Sequence, residues 1–175
     1  MKKTLVVFTT MLFFALALYS CQIDEVNDNG NTDVEETTAV YVDLGLPSKT
    51  KWKSANETGG YDGFYTFEEA KNAFGNKLPS KQQWKELKDK CTWEWQNGGY
   101  KVTGKNGNSI FLPAAGCFYS GYNSVNNAGS LGYYWTSTPS ESDMGRACYF
   151  HFWSEGMLIL YGTRNDGHSV RLILK

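Results

Sequence analysis

The sequence predicts a mixed α+β domain, and three observations carry that expectation. Two stretches between residues 66 and 90 place apolar residues at helical spacing behind capping residues. Beyond residue 92 the period drops to two, with aromatic and β-branched residues alternating with polar ones. The chain carries 18 Gly together with many Asn and Ser, which points to tight turns and a loop-rich domain rather than a helical bundle.

The first element is a targeting segment. Lys2 and Lys3 precede an apolar run from Leu5 to Leu18, followed by Tyr19-Ser20-Cys21. A positive n-region with a short apolar h-region reads as a secretory signal, too short to span a bilayer comfortably. Cys21 after a small residue resembles a bacterial lipobox. That resemblance implies cleavage after residue 20 and a diacylglycerol on Cys21, with lipid chains held at ~0.8 kcal/mol per CH₂. The alternative is an ordinary signal peptide with a chance cysteine. Residues 21–38 carry Asp24, Glu25, Asp28, Asp33, Glu35 and Glu36 with no Lys or Arg, and almost nothing to bury, so they read as a flexible acidic stalk. The pattern resembles the surface-export signal of Bacteroidetes lipoproteins, which implies the outer membrane and the cell surface. A plain solvated spacer is the alternative.

Residues 39–175 suit one domain with one core. Tyr41-Val42-Asp43-Leu44 and Thr50-Lys51-Trp52-Lys53-Ser54 read as short strands. Thr66 caps a helix whose Phe67, Ala70, Ala73 and Phe74 share a face, with Glu68 and Glu69 in the first turn and Gly75 as the stop. Ser80 and Gln83 form a capping box for a second helix, with Trp84 and Leu87 inward and Lys81, Lys85, Lys88 and Lys90 around them. Trp93 and Trp95 alternate as a strand. Tyr100–Thr103 and Ser109–Leu112 form a hairpin across Lys105-Asn106-Gly107-Asn108, with Asn-Gly as the turn signal. Residues 113–131 read as a long loop holding Phe118, Tyr119 and Tyr122. Strands follow at Tyr133–Ser137, Cys148–Trp153, Met157–Tyr161 and Ser169–Leu174, the middle two as a hairpin over Ser154-Glu155-Gly156.

Six ordered blocks then resemble one family. They are Tyr41–Ser48, Asn76–Ser80 leading into Trp84, Gly99–Gly104, Asn108–Gly116, Gly132–Ser137 and Ser169–Arg171. Together they resemble the Fibrobacter succinogenes major paralogous domain, a family similar to the sulfatase-modifying and C-type lectin-like folds. The resemblance implies a C-type lectin-like fold: two helices flanking a small twisted antiparallel sheet, with long loops on one side carrying ligand contacts. The chain departs from the family between Trp52 and Gly75.

The chemistry favours binding over catalysis. A formal charge of −1 leaves no basic footprint for nucleic acid. Formylglycine-generating enzymes hold copper with paired cysteines near the C-terminus; here Cys148 stands alone there, and soft thiolate ligation needs two sulfurs. Cys91, Cys117 and Cys148 contain no C-x-x-C pair; one disulfide is open to them, with buried free thiols the fate expected for most. His151 and His168 have no metalloprotease spacing. The calcium motifs of sugar-binding C-type lectins are replaced by Thr138-Pro139-Ser140 and Arg164-Asn165-Asp166. No enzyme activity, metal or cofactor is therefore expected. The C-terminal third instead sets Tyr133, Tyr149, Trp153 and Tyr161 beside Ser140, Glu141, Asp143, Arg146, Arg164, Asn165 and Asp166. Tyr and Trp supply contact area at low entropy cost while short polar residues adapt their hydrogen bonds. The competing reading is that these aromatics are sheet core, as alternation requires of about half of them. Trp84, Trp135 and Arg171 read as structural. The expectation is a lipid-anchored module that binds a glycan or protein ligand on its loop face. The alternatives are a structural subunit of a surface assembly and, less favoured, a formylglycine-generating-type oxidoreductase.

Overall fold

The computed structural model describes residues 39–121 and 124–175. Residues 1–20, residues 21–38 with Cys21, and Tyr122 lie outside the described residues. The elements run β1 (Tyr41–Asp43), β2 (Lys51–Lys53), α1 (Phe67–Phe74), a 3₁₀ turn (Gly75–Lys77), α2 (Lys81–Lys90), β3 (Thr92–Gln96), β4 (Gly99–Thr103), β5 (Ser109–Pro113), β6 (Cys117–Phe118), β7 (Val125–Asn126), β8 (Gly132–Pro139), β9 (Arg146–Trp153), β10 (Gly156–Thr163) and β11 (Ile173–Leu174).

The expected fold class is overturned. In place of a C-type lectin-like α+β fold with one sheet between two helices, the described residues are mostly β, with four small separate sheets and two short α-helices among them. The sheets are ordered β1-β2-β11, β10-β9-β8, β3-β4-β5 and β6-β7. A period of two marks a strand but does not say which strand it pairs with. Here pairing is mostly with the nearest neighbour along the chain, and it stops locally. The β5 ladder ends at Pro113, which has no N–H to carry it on, and β8 is bulged between Trp135 and Pro139. The expected closing strand from Ser169 shrinks to Ile173–Leu174, paired with Trp52 and Lys51.

Both helices form as their caps require. In α1 the Glu69 N–H donates to Thr66 Oγ1 at 3.3 Å while the Thr66 N–H donates to Glu69 Oε2 at 2.7 Å. In α2 Ser80 and Gln83 exchange the same pair of bonds at 3.3 and 2.8 Å. Each box satisfies two amides that the first turn leaves without helical partners. Gly75 closes α1 at φ 51°. The type I′ turn of the β3–β4 hairpin is at Asn97-Gly98, with φ of 50° and 70°. At Asn106-Gly107 only the glycine takes a positive φ, and the Asn106 and Asn108 side chains instead donate to the Asp43 carbonyl.

Side chains join what the ladders do not. Trp84 of α2 meets the Trp52 ring at 4.7 Å, stacks on Phe150 at 4.7 Å and touches Tyr134 at 5.5 Å, so one indole ties β2, β8 and β9 together. A second core gathers Phe67 and Ala70 of α1 with Trp135, Ala147, Val170 and Leu172. Arg171 is buried, and its guanidinium donates to Asn56 Oδ1, the Lys53 carbonyl and the Phe111 carbonyl at 2.7–2.8 Å. Each of its three nitrogens donates to a neutral oxygen, and these oxygens lie on separate segments, which makes it a latch between them. Trp84, Trp135 and Arg171 are thus structural, as expected.

Candidate binding cleft

The loop from β8 to β9 is organised by its own polar residues. The Ser140 N–H donates to the Arg146 carbonyl at 3.1 Å and the Arg146 N–H to the Asp143 carbonyl at 3.0 Å. Asp143 Oδ1 accepts from the Gly145 N–H at 2.8 Å, and its Oδ2 lies 3.3 Å from Arg146 Nε. Short side chains bonding to nearby backbone are what Ser and Asp do in turns. The loop is therefore held in one shape by interactions encoded within a few residues.

That loop forms one wall of a cleft of about 550 Å³, lined by Lys81, Ser140, Glu141, Ser142, Asp143, Arg146 and Tyr161. The volume lies within the ~300–1,000 Å³ typical of ligand sites. The opposite wall comes from the start of α2 and from β10. Lys81 is the first residue of α2; its N–H donates to Thr138 Oγ1 at 3.1 Å, and its Nζ donates to the Tyr161 hydroxyl at 3.3 Å, with Nζ 5.3 Å from the centre of that ring. The Tyr161 hydroxyl raises the Lys81 pKa above its ordinary value, so the ammonium stays charged. Among the described residues Glu141 enters no ion pair. The cleft thus offers an ammonium, a guanidinium, a carboxylate, hydroxyls and an aromatic ring 41% exposed.

The structure therefore brings together Ser140, Glu141, Asp143, Arg146 and Tyr161. The other expected site residues go elsewhere. Arg164 is a strut: Nη1 donates to Glu68 at 2.8 Å, Nε donates to the Arg146 carbonyl at 3.1 Å, and the guanidinium lies 4.9 Å from the Phe67 ring centre. It supports the Arg146 backbone from behind. Asn165 lines a separate groove of about 310 Å³ with Tyr61 and Phe118, while Asp166 accepts from the Ser120 N–H at 3.2 Å. Tyr133 is buried, 4.5 Å from His151 and 5.4 Å from His168. Tyr149 and Trp153 are half-buried on the sheet face away from Tyr161, and Trp153 and Arg146 stand at opposite ends of the eight-residue β9. Lys81 was missed because lysines around an amphipathic helix read as a solvated face. Its position next to Ser80 at the helix start, the end that faces a following loop, is the signal that could have found it.

Among the described residues the three cysteines, Cys91, Cys117 and Cys148, are free. Burial pushes the Cys91 thiol up to about 11 and raises those of Cys117 and Cys148. Cys117 lies beside the Tyr119 and Tyr133 hydroxyls, whereas Cys148 lies beside Thr136, so the two do not share an environment. Among the described residues no group of three or more His, Cys, Asp or Glu is placed to hold a metal ion. No helix among them is long and apolar enough to cross a membrane.

A family model described as a domain of unknown function (DUF8237) matches residues 80–173, more than half of the chain. The chain belongs to that family. The matched segment opens on Ser80, the cap of α2, and closes in β11, so every wall of the cleft lies inside it. Strand β2, on which β11 pairs, lies outside the match. No curated protein and no solved structure matches the chain.

Proposed function

We propose that this DUF8237 chain is a lipid-anchored surface protein whose domain recognises a ligand without transforming it, through the cleft between the start of α2, the β8–β9 loop and β10. The observation that carries this reading is the convergence of five polar or aromatic residues from two separate segments, with Lys81 from a third, into one cleft whose loop wall is held by its own hydrogen bonds. A wall already ordered loses little entropy on binding. The mixture of Lys81, Arg146 and Glu141 favours a glycan or protein surface that presents charge. The anchor is the diacylglycerol expected on Cys21, and the outer membrane is the expected location.

The full-length chain probed against an array of glycans and surface proteins should retain a charged ligand. Arg146→Ala and Tyr161→Ala should each weaken it about tenfold. Absence of any retained ligand, or a ligand indifferent to both substitutions, rejects the cleft as the site. Radiolabelled palmitate should enter the wild-type chain and be lost in Cys21→Ala; equal labelling of both would reject the anchor.

A further inference from the structure

The three-stranded sheet β8–β9–β10 has two faces. Tyr134, Phe150, Phe152 and Met157 face α2 and the main core. The other face carries Tyr149, His151 and Trp153 at alternate positions of β9, flanked by Leu158 and Leu160 of β10, which pair with His151 and Tyr149. None of these five is fully buried, and Leu158 is 46% exposed. The rings form a row but not one plane: Tyr149 to His151 is 6.3 Å between centroids with the rings 65° apart, and His151 to Trp153 is 5.6 Å at 35°.

Two glycines of β10 give this row its form. A Cβ placed on Gly156 would lie 2.8 Å from Trp153 Cζ2, and one on Gly162 would lie 2.8 Å from Tyr149 Cε1. Both rings therefore lean across the neighbouring strand and rest on bare backbone. Tyr149 also touches Tyr133, Trp135 and His168, so its ring is part core and part surface. His151 sits between them with a set tautomer. Its Nδ1 lies 3.0 Å from the Gly132 carbonyl, which only accepts, so Nδ1 carries the hydrogen and Nε2 is left as an acceptor. No residue that the three strands direct to this face is Asp, Glu, Lys or Arg.

We infer that the row Tyr149–His151–Trp153 is a platform for a neutral oligosaccharide, whose sugar rings lie with their C–H faces on the aromatic rings and a hydroxyl donating to His151 Nε2. Three features select this occupant. Aromatic rings along a rigid strand, each at its own angle, offer separate faces to the C–H surfaces of successive sugar rings, whereas a protein partner takes hold through side chains inserted into pockets. Nucleic acid needs cations along its backbone, and this face has none. Acidic polysaccharides need the same. The platform uses residues distinct from those of the charged cleft, so the two surfaces stand or fall separately.

The full-length chain is titrated with cellohexaose, xylohexaose and mannohexaose, with polygalacturonate as the charged control, read by tryptophan fluorescence and by calorimetry. At least one neutral hexasaccharide should bind and perturb the fluorescence. Trp153→Ala and Tyr149→Ala should each weaken it about tenfold or more, while Trp153→Phe keeps most of the binding. Leu158→Asp, at an exposed position, should abolish it without touching the core. Arg146→Ala and Tyr161→Ala should leave it unchanged. The platform is rejected if none of the three binds, if only polygalacturonate binds, or if binding survives both aromatic deletions. It is also rejected if light scattering shows a dimer that Leu158→Asp dissociates, which would make the face an interface between copies.

Discussion

The two faces of the β8–β9–β10 sheet draw on the same stock of aromatic residues and meet opposite fates. Toward α2, Tyr134, Phe150 and Phe152 are fully buried around the Trp84 indole. On the far side the sequence alternates just as regularly, yet only one end is closed. There Trp135 stacks on His168 at 4.1 Å and meets the Phe67 ring edge-to-face at 5.5 Å, under the cover of α1. From Tyr149 to Trp153 no helix follows, and the rings stay partly open. A short helix covers a short length of sheet: α1 has 8 residues, about 12 Å at 1.5 Å per residue, against roughly 27 Å for the 8 residues of β9. Alternation thus divides a strand's side chains between two faces, and what is stacked above each face decides whether a ring becomes core or contact.

The sharpest way to break this contrast is Trp84→Ala. Removing an indole that three elements share should cost about 3–5 kcal/mol of unfolding free energy in denaturant titration. A loss under about 1 kcal/mol would mean that the face toward α2 is not the closed one.

The closed end of the far face can be tested by pH. His168 is buried and its Nδ1 has no hydrogen-bond partner; burial pushes its pKa down to about 3. The unfolded chain binds a proton near the ordinary value of 6.5, so between roughly pH 6.5 and 3 the unfolded state holds more protons than the fold. Stability should be fully present above that window and fall as pH drops through it. His168→Phe keeps a ring against Trp135 and should flatten the slope measured by thermal melts from pH 7 to 4. An unchanged slope would show that His168 is hydrated.

The smallest effect belongs to the open end. Leu158→Ala removes a side chain that is nearly half exposed, and should change stability by about 0.5 kcal/mol or less. A loss of 2 kcal/mol would reveal that this face is covered in the folded protein.

Local features were legible from residue types. Both helix caps, the capping box at Ser80, the stop at Gly75, the β4–β5 hairpin and the burial of Trp84 follow from interactions spanning a few residues, and they appear where the pattern put them; the reciprocal Glu69 bond of the first cap is added by the structure. Four expected cleft residues, Ser140, Glu141, Asp143 and Arg146, lie together for the same reason, since Ser140 to Arg146 fold on themselves. The sheet arrangement was not. A single sheet between two helices was inferred from resemblance, whereas the strands close into four sheets whose union depends on Trp84 and Arg171, residues with partners from 32 to 118 positions away. Arg164 and Asp166 read as loop polars open to a ligand, but tertiary contacts with Glu68 and Ser120 turn them into struts.

By itself the sequence determined the caps, the turns, the strand periods and the polar chemistry of the β8–β9 loop, because each depends on neighbours that no fold can separate. The tertiary structure alone decided that Lys81 meets Tyr161, that Tyr133 and His168 are buried, and that Tyr149, His151 and Trp153 stay half-buried. Those outcomes depend on which elements stack on which face, and that is set by long-range packing, for which a period of two carries no information.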